Sequence, residues 1–179
     1  MSQLSKKLRR QAAIQEEERR AIEEEMRDIQ RLLDNLFRAE TPVEAEWALS
    51  ELVVNIEHQH TLSSAAPTVL TELITLAMND SFPIRHRALA EITYLAYCAN
   101  NDSALNKKSV EFAVRQVLVD SKPKFQHLAN SNEPLIRLHA TRVLAQIDSV
   151  HPCPECGQNL RTPKAQQCLH CGSDWHAES

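Results

Sequence analysis

The chain has 179 residues, a formal net charge of -4, and 42% hydrophobic and 25% charged residues, which is typical of a globular protein with one moderate core. This charge excludes a protein that coats nucleic acid through bulk positive charge. No stretch reaches the roughly 18 to 20 consecutive apolar residues that span a bilayer, and the first residues lack the apolar core of a signal peptide. We therefore expect a cytoplasmic protein that does not contact a membrane.

Glycine is nearly absent from the sequence. The only two, Gly157 and Gly172, each follow the second cysteine of a Cys-x-x-Cys pair. Tight hairpins and phosphate-binding loops usually require glycine, so the chain before residue 150 contains neither a Walker loop nor a dinucleotide fingerprint. The same scarcity disfavours an all-β fold. We predict an all-α protein whose helices are joined by proline and polar turns.

The first segment, 1–40, predicts a long N-terminal helix, because it is rich in Glu and Arg and contains neither proline nor glycine. An apolar seam recurs at coiled-coil spacing along this helix. Its residues are Ile22, Met26, Ile29, Leu33 and Leu36. The earlier part is polar, with basic residues at 6–10 before an acidic run at 16–25. Such a charged face is either simply solvated or belongs to a docking helix. A docking helix would pair with a different protein, or weakly with a second copy of the chain. We expect the end of this helix to fold back on the rest of the chain.

The second segment, 41–149, predicts a helical domain in which prolines mark most helix starts. Thr41, Pro42 and Glu44 supply a capping hydroxyl, a proline at the first helical position and the glutamate of a capping box. After the helix that begins there, the chain becomes polar through residue 64. Further helices are predicted at 67–78, 83–99, 103–120, 125–129 and 134–148.

Two of the predicted helices share a pattern, consisting of a polar turn, a proline and then Ile-Arg-x-x-Ala, at 79–88 and 130–140. This pattern resembles the second helix of HEAT-type repeats over 67–148. The resemblance implies an antiparallel, HEAT-like stack that presents an extended surface to proteins or peptides, less often to nucleic acid. It also implies that Arg85 and Arg137 brace neighbouring turns by bonding acceptors such as Asp80, Asn132 or Glu133. A plain helical bundle is the alternative.

The third segment, 150–179, contains four of the five cysteines. Cys153 and Cys156 form one Cys-x-x-Cys pair, Cys168 and Cys171 form the second, and eleven residues separate the inner cysteines. Two such pairs in a reducing compartment supply four thiolates to a tetrahedral metal ion. The pattern resembles a short zinc ribbon. A redox pair or an iron-sulfur cluster is the alternative, but a redox pair normally precedes a helix in an α/β fold and leaves the second pair unexplained.

We therefore predict one structural Zn²⁺ ion in this ribbon. A closed shell of four thiolates has no open position for water, so the metal is not expected to be catalytic. The remaining cysteine, Cys98, lies in an apolar helical run and predicts a buried, inert thiol.

Three hypotheses for the function follow. The first is a non-catalytic adaptor or scaffold subunit that binds protein partners through the helical surface and the ribbon. The second is a nucleic-acid-associated factor, in which the ribbon contacts phosphates with the help of a basic cluster. The candidate clusters are the basic residues at 6–10, or Lys107, Lys108, Lys122 and Lys124. The third, an enzyme, is not expected, because there is no nucleophile motif and the histidines, interpreted as helical, show no Glu-x-x-His arrangement. We predict no catalytic residues.

Overall fold

A computed structural model describes the chain at residues 3–101, 109–151, 153, 155–156, 160 and 165–174. Within these ranges, side chains are described from residue 9 onwards, except at residue 101. The elements in these ranges are α1 (Gln3–Arg38), α2 (Pro42–Ile56), β1 (Glu57–His58), β2 (Thr61–Leu62), α3 (Ala66–Met78), α4 (Arg85–Asn101), α5 (Val110–Asp120), α6 (Lys122–Leu128) and α7 (Pro134–Asp148). The all-α prediction is confirmed.

The start of α2 has the predicted capping box. The Thr41 hydroxyl accepts a hydrogen bond from the Glu44 N–H at 3.2 Å, and the Glu44 carboxylate accepts one from the Thr41 N–H at 3.2 Å. Two N–H groups that no helical carbonyl can reach are thereby bonded. Helix α7 likewise begins at the predicted proline, Pro134.

Three of the predicted helix starts were wrong. Helix α4 begins at Arg85 instead of 83, since Pro83 lies in the turn before it. Helix α5 begins at Val110 instead of 103, because the extended Ser109 caps it, with its hydroxyl accepting the Phe112 N–H at 3.2 Å. Residues 102–108 of that prediction lie outside the described part of the chain. Helix α6 begins at Lys122 instead of 125, since Pro123 fits its first turn.

The polar run after α2 forms a tight hairpin, which the scarcity of glycine had argued against. Glu57 pairs with Leu62 and His58 with Thr61 in antiparallel register. The two turn residues, Gln59 and His60, have φ angles of 53° and 67°. Positive φ at both central positions belongs to a type I′ turn, which glycine and asparagine normally occupy. This turn carries strain, and it brings the His60 ring edge-on to two tyrosines of α4, with ring centroids 6.2 and 6.0 Å apart.

The second half of α1 packs on the rest of the molecule, mainly against α2. Its buried side chains are Ile29, Leu32, Leu33 and Leu36. The Ser64 hydroxyl donates to the Glu25 carboxylate at 2.8 Å, which ties α1 to the chain just before α3. Ile22, however, is exposed, as are nearly all side chains from 9 to 24. The predicted fold-back of the helix end is confirmed, and pairing of its first half with a partner stays a prediction.

Helix α4 occupies the centre of the helical body. It packs against α3, α5, α7 and the hairpin, and it also contacts α2. The buried apolar side chains on it are Ala88, Leu89, Ile92, Leu95, Ala96, Cys98 and Ala99. Alanines at three of these positions allow neighbouring helices to approach closely. The two helices that share the Ile-Arg-x-x-Ala pattern, α4 and α7, are in direct contact, while a HEAT-type repeat stays a prediction.

Arg85 connects two turns of the helical body. Its side chain is buried, with a residue exposure of 7%, and forms ion pairs with Asp80 and, at 3.2 Å, with Glu133 in the turn before α7. Its Nε also donates to the Ala77 carbonyl at 3.2 Å. The predicted bracing by Arg85 is confirmed. Arg137 also braces a turn, but it is exposed and donates to the Ser131 carbonyl at 2.9 Å instead of a carboxylate.

Replacing Arg85 with leucine is expected to lower the free energy of unfolding by about 1 to 3 kcal/mol, because a buried carbonyl and two carboxylates lose their donor. Arg85→Lys recovers only part of this loss, since one ammonium group cannot reproduce the guanidinium geometry. The matched variant Arg137→Leu should lower the free energy of unfolding by less than about 0.5 kcal/mol, as is usual for a substitution at the surface. Urea denaturation of the three variants measures this, and equal losses for Arg85→Leu and Arg137→Leu would contradict it.

Candidate metal centre

The structure brings all four ribbon cysteines together. Their sulfur atoms lie within 4.8 Å of one another, although the two pairs are separated by eleven residues. Cys153 and Cys168 are buried, Cys156 is half-buried and Cys171 is exposed, so the cluster sits at the surface of the small module. This is the arrangement that can hold a metal ion.

The spacing of the sulfurs fits one tetrahedral ion. Cys153 and Cys171 have their sulfurs 3.8 Å apart, and those of Cys156 and Cys168 are 3.6 Å apart. Four thiolates about 2.3 Å from a central ion would be separated by about 3.8 Å. A disulfide would require about 2.05 Å, and none of these cysteines forms one. The close approaches join one cysteine from each pair, so both pairs are needed to complete the shell.

The second pair lies on a short loop closed by backbone bonds. The Gly172 N–H donates to the Cys168 carbonyl at 2.8 Å, and the Cys168 N–H donates to the Ser173 carbonyl at 2.9 Å. Gly172 has a φ of 73°, a left-handed conformation in which a side chain would be strained. Glycine directly after the second cysteine pair therefore lets the loop turn without strain. Gly157, after the first pair, lies outside the described residues.

Local hydrogen bonds favour the thiolate form at this loop. The pKa of Cys171 is lowered to about 6, first because the Ser173 hydroxyl, 3.0 Å away, and then the Ser173 N–H, bond to its sulfur. Burial is the largest single influence on Cys153 and opposes ionisation, but bonds from the backbone at Cys156 and Glu155 help to leave its pKa below the usual value. Thiolates are the form that binds metal.

A second group of metal-binding side chains lies on the helical body. Donor atoms of Glu57, His60 and Cys98 all lie within 4.8 Å of one another. Cys98 is buried, as predicted, at 1% exposure, and burial raises its pKa. The interpretation of His58 and His60 as helical was wrong, because both lie in the hairpin.

The sequence does contain a signal for this group, contrary to the expectation of no Glu-x-x-His arrangement, since Glu57 and His60 have this spacing. Nothing in the sequence connects them with Cys98, which follows His60 by 38 residues and joins them only through the packing of the hairpin on α4.

No protein-family model matches the chain, and comparisons with curated proteins and with solved structures find no significant match.

No helix within the described ranges is both long and apolar enough to cross a bilayer.

Cys171→Ser is expected to release one metal equivalent per chain, because a serine hydroxyl is a far weaker ligand than a thiolate. Leu169→Ala is the matched control: this exposed side chain lies in the same loop and supplies no donor, so the metal should be retained. Elemental analysis after gel filtration measures the loss. The melting of α2 to α7 should stay unchanged in both variants, since their core includes none of these cysteines. Retention of the full metal content by Cys171→Ser would contradict the site.

Proposed function

We propose that this chain is a non-catalytic adaptor subunit that binds a protein partner through its helical surface, with one structural zinc ion holding the C-terminal ribbon. The observation that carries the proposal is an exposed apolar row on α2. Zinc is the proposed ion because four thiolates in a closed tetrahedron suit its soft, geometry-tolerant coordination and leave no site for substrate.

The exposed row consists of Val43, Trp47 and Val54, here called the α2 stripe. Their exposures are 66%, 76% and 63%. Spacings of four and seven residues place all three along one side of the helix. The opposite side of α2 is already apolar and packed in the core, through Ala45, Leu49, Leu52, Val53 and Ile56. A helix that is apolar on both sides has one side available for a partner.

A shallow groove of about 380 Å³ lies beside the stripe, between the end of α1 and the first turns of α2. Val43 and Trp47 line it together with the small side chains of Ala39 and Ala48. Tryptophan at the edge of a groove is the residue type that most often dominates binding energy at protein interfaces. The groove is open to solvent along its length, so apolar anchors on a helix can enter it.

The charges around the groove specify the chemistry of the partner. Glu44 and Glu51 line it, Glu40 is exposed next to it, and Arg38 is the single basic residue in its lining. This acidic rim favours an amphipathic helix that has apolar anchors flanked by Lys or Arg. We commit to a segment of a different protein as this occupant; a second copy of the chain is the other outcome of the test.

The nucleic-acid hypothesis has less support from the described residues. Lys122 already donates to Asp148 at 2.6 Å, so it is not a free phosphate contact. Lys107 and Lys108 lie outside the described residues. Four thiolates around one Zn²⁺ also leave a net negative centre, which repels phosphate.

A labelled amphipathic peptide with leucine anchors and lysine flanks is a direct probe of the groove. It should bind at least about tenfold more tightly than the same peptide with glutamate flanks, and Trp47→Ala should weaken binding by about tenfold or more. Leu135→Ala is the matched control, because Leu135 is an exposed apolar residue on α7. Fluorescence anisotropy gives the affinities. Equal binding of both peptides, or no effect of Trp47→Ala, would overturn the proposal.

Light scattering over a concentration series separates the two occupants. A monomer at all concentrations supports a different protein as partner, whereas a dimer that Trp47→Ala dissociates assigns the stripe to a second copy.

A further inference from the structure

The hairpin and α4 bring three metal-binding side chains to one point on the helical body, well apart in sequence from the ribbon. Glu57 supplies a carboxylate, His60 an imidazole and Cys98 a thiol, and their donor atoms lie within 4.8 Å of one another. We propose that these residues form a second binding site for a zinc-type transition-metal ion. None of them belongs to the four-cysteine centre, so this site is independent of the proposed function.

The distances are close to those that one ion requires. His60 Nδ1 lies 3.9 Å from the Cys98 sulfur. Tetrahedral zinc, with bonds of about 2.3 Å to sulfur and about 2.1 Å to nitrogen, would separate these atoms by about 3.6 Å. A movement of a few tenths of an ångström closes the difference. The exposed His60 ring can make this movement, while Cys98 is fixed in the core.

The backbone holds the donors in place before any ion binds. Glu57 is the residue directly after α2, and one of its carboxylate oxygens accepts the His60 N–H across the turn. The same carboxylate is also hydrogen-bonded to the Tyr94 side chain, so an ion would compete with that bond. His60 itself has the left-handed φ of 67°, and its ring meets the edges of Tyr94 and Tyr97. The strained turn is thus fixed with the imidazole over the thiol of α4.

The donor set selects the class of metal. A thiolate and an imidazole favour zinc and related transition metals over Mg²⁺ or Ca²⁺, which take oxygen ligands. Three protein ligands leave a fourth position, as in zinc sites that also bind water. The Tyr94 hydroxyl lies 3.5 Å from His60 Nδ1, close enough to orient a water molecule at that fourth position. Binding would displace the thiol proton of Cys98 into solvent, so no other reactant is required.

A purely structural role for the group predicts a different result. In that case Tyr94, Cys98 and Glu57 only satisfy one another by hydrogen bonds, and the chain binds metal through the ribbon alone. The metal content of the full chain separates the two cases, because the sites share no residue.

The test is zinc content per chain after saturation with Zn²⁺ and gel filtration. The unaltered chain is expected to retain two equivalents, and His60→Asn one. Asparagine is chosen because it tolerates the left-handed φ and so keeps the turn. His58→Ala is the matched control on the same hairpin, since this exposed histidine is not in the group, and it should retain two.

Cobalt provides a readout specific to the thiolate. In a chain whose ribbon cysteines are all replaced by serine, Co²⁺ should give one near-ultraviolet sulfur-to-cobalt absorption band, and Cys98→Ala should abolish it. If Cys98→Ala fails to fold, the His60→Asn result still decides the matter. One zinc equivalent in the unaltered chain, or two in His60→Asn, would overturn the second site.

Discussion

Burial of α4 on several sides is the constraint on which the rest of the helical body depends. Alanine at 88, 96 and 99 lets α3, α5 and α7 approach it closely, while leucine and isoleucine fill the space between them. Its first residue, Arg85, connects the turns before α4 and α7. Its last turns carry Tyr94 and Cys98 to the hairpin. One helix therefore orders both the packing and the second cluster of donor atoms.

Much of the fold could be predicted because local chemistry decides it. The Thr41 capping box and the proline at the start of α7 set helix starts, and each is legible within a few residues. The four-cysteine centre was predictable for the same reason, since each Cys-x-x-Cys pair positions two sulfurs by itself. The start of α5 was missed because Ser109 gave no stronger signal than other polar residues near it.

The features that could not be predicted depend on contacts between distant segments. The hairpin places Gln59 and His60 in a turn that their residue types do not favour, so tertiary packing must stabilise it. Val43 and Trp47 are apolar like the buried residues of α2, and only the packing of α2 against α1 and α4 leaves them exposed. The same separation hid the Glu57, His60 and Cys98 group. Packing that overrides local preference therefore also produces the exposed α2 stripe and brings the three donor atoms of the hairpin cluster together.

The two clusters of metal-donor atoms differ in how the loss of a bound ion would affect stability. The ribbon has few apolar groups among its described residues, so an ion bound there would supply most of its folding free energy. The hairpin cluster rests on a core that is complete without metal. An ion there would create a position for a further ligand but would stabilise the fold little. If the chain acts as the proposed adaptor, it would need the first ion to give the ribbon its shape.

Native-state hydrogen exchange tests the central claim, that α4 is the core of a helical body which stands without the ribbon's metal. Amides of 89–99 should exchange only through global unfolding, in the presence and absence of a chelator. Amides of 9–24, whose side chains are nearly all exposed, should exchange orders of magnitude faster. Exchange of 89–99 as fast as that of 9–24, or loss of its protection when the chelator is added, would contradict the account.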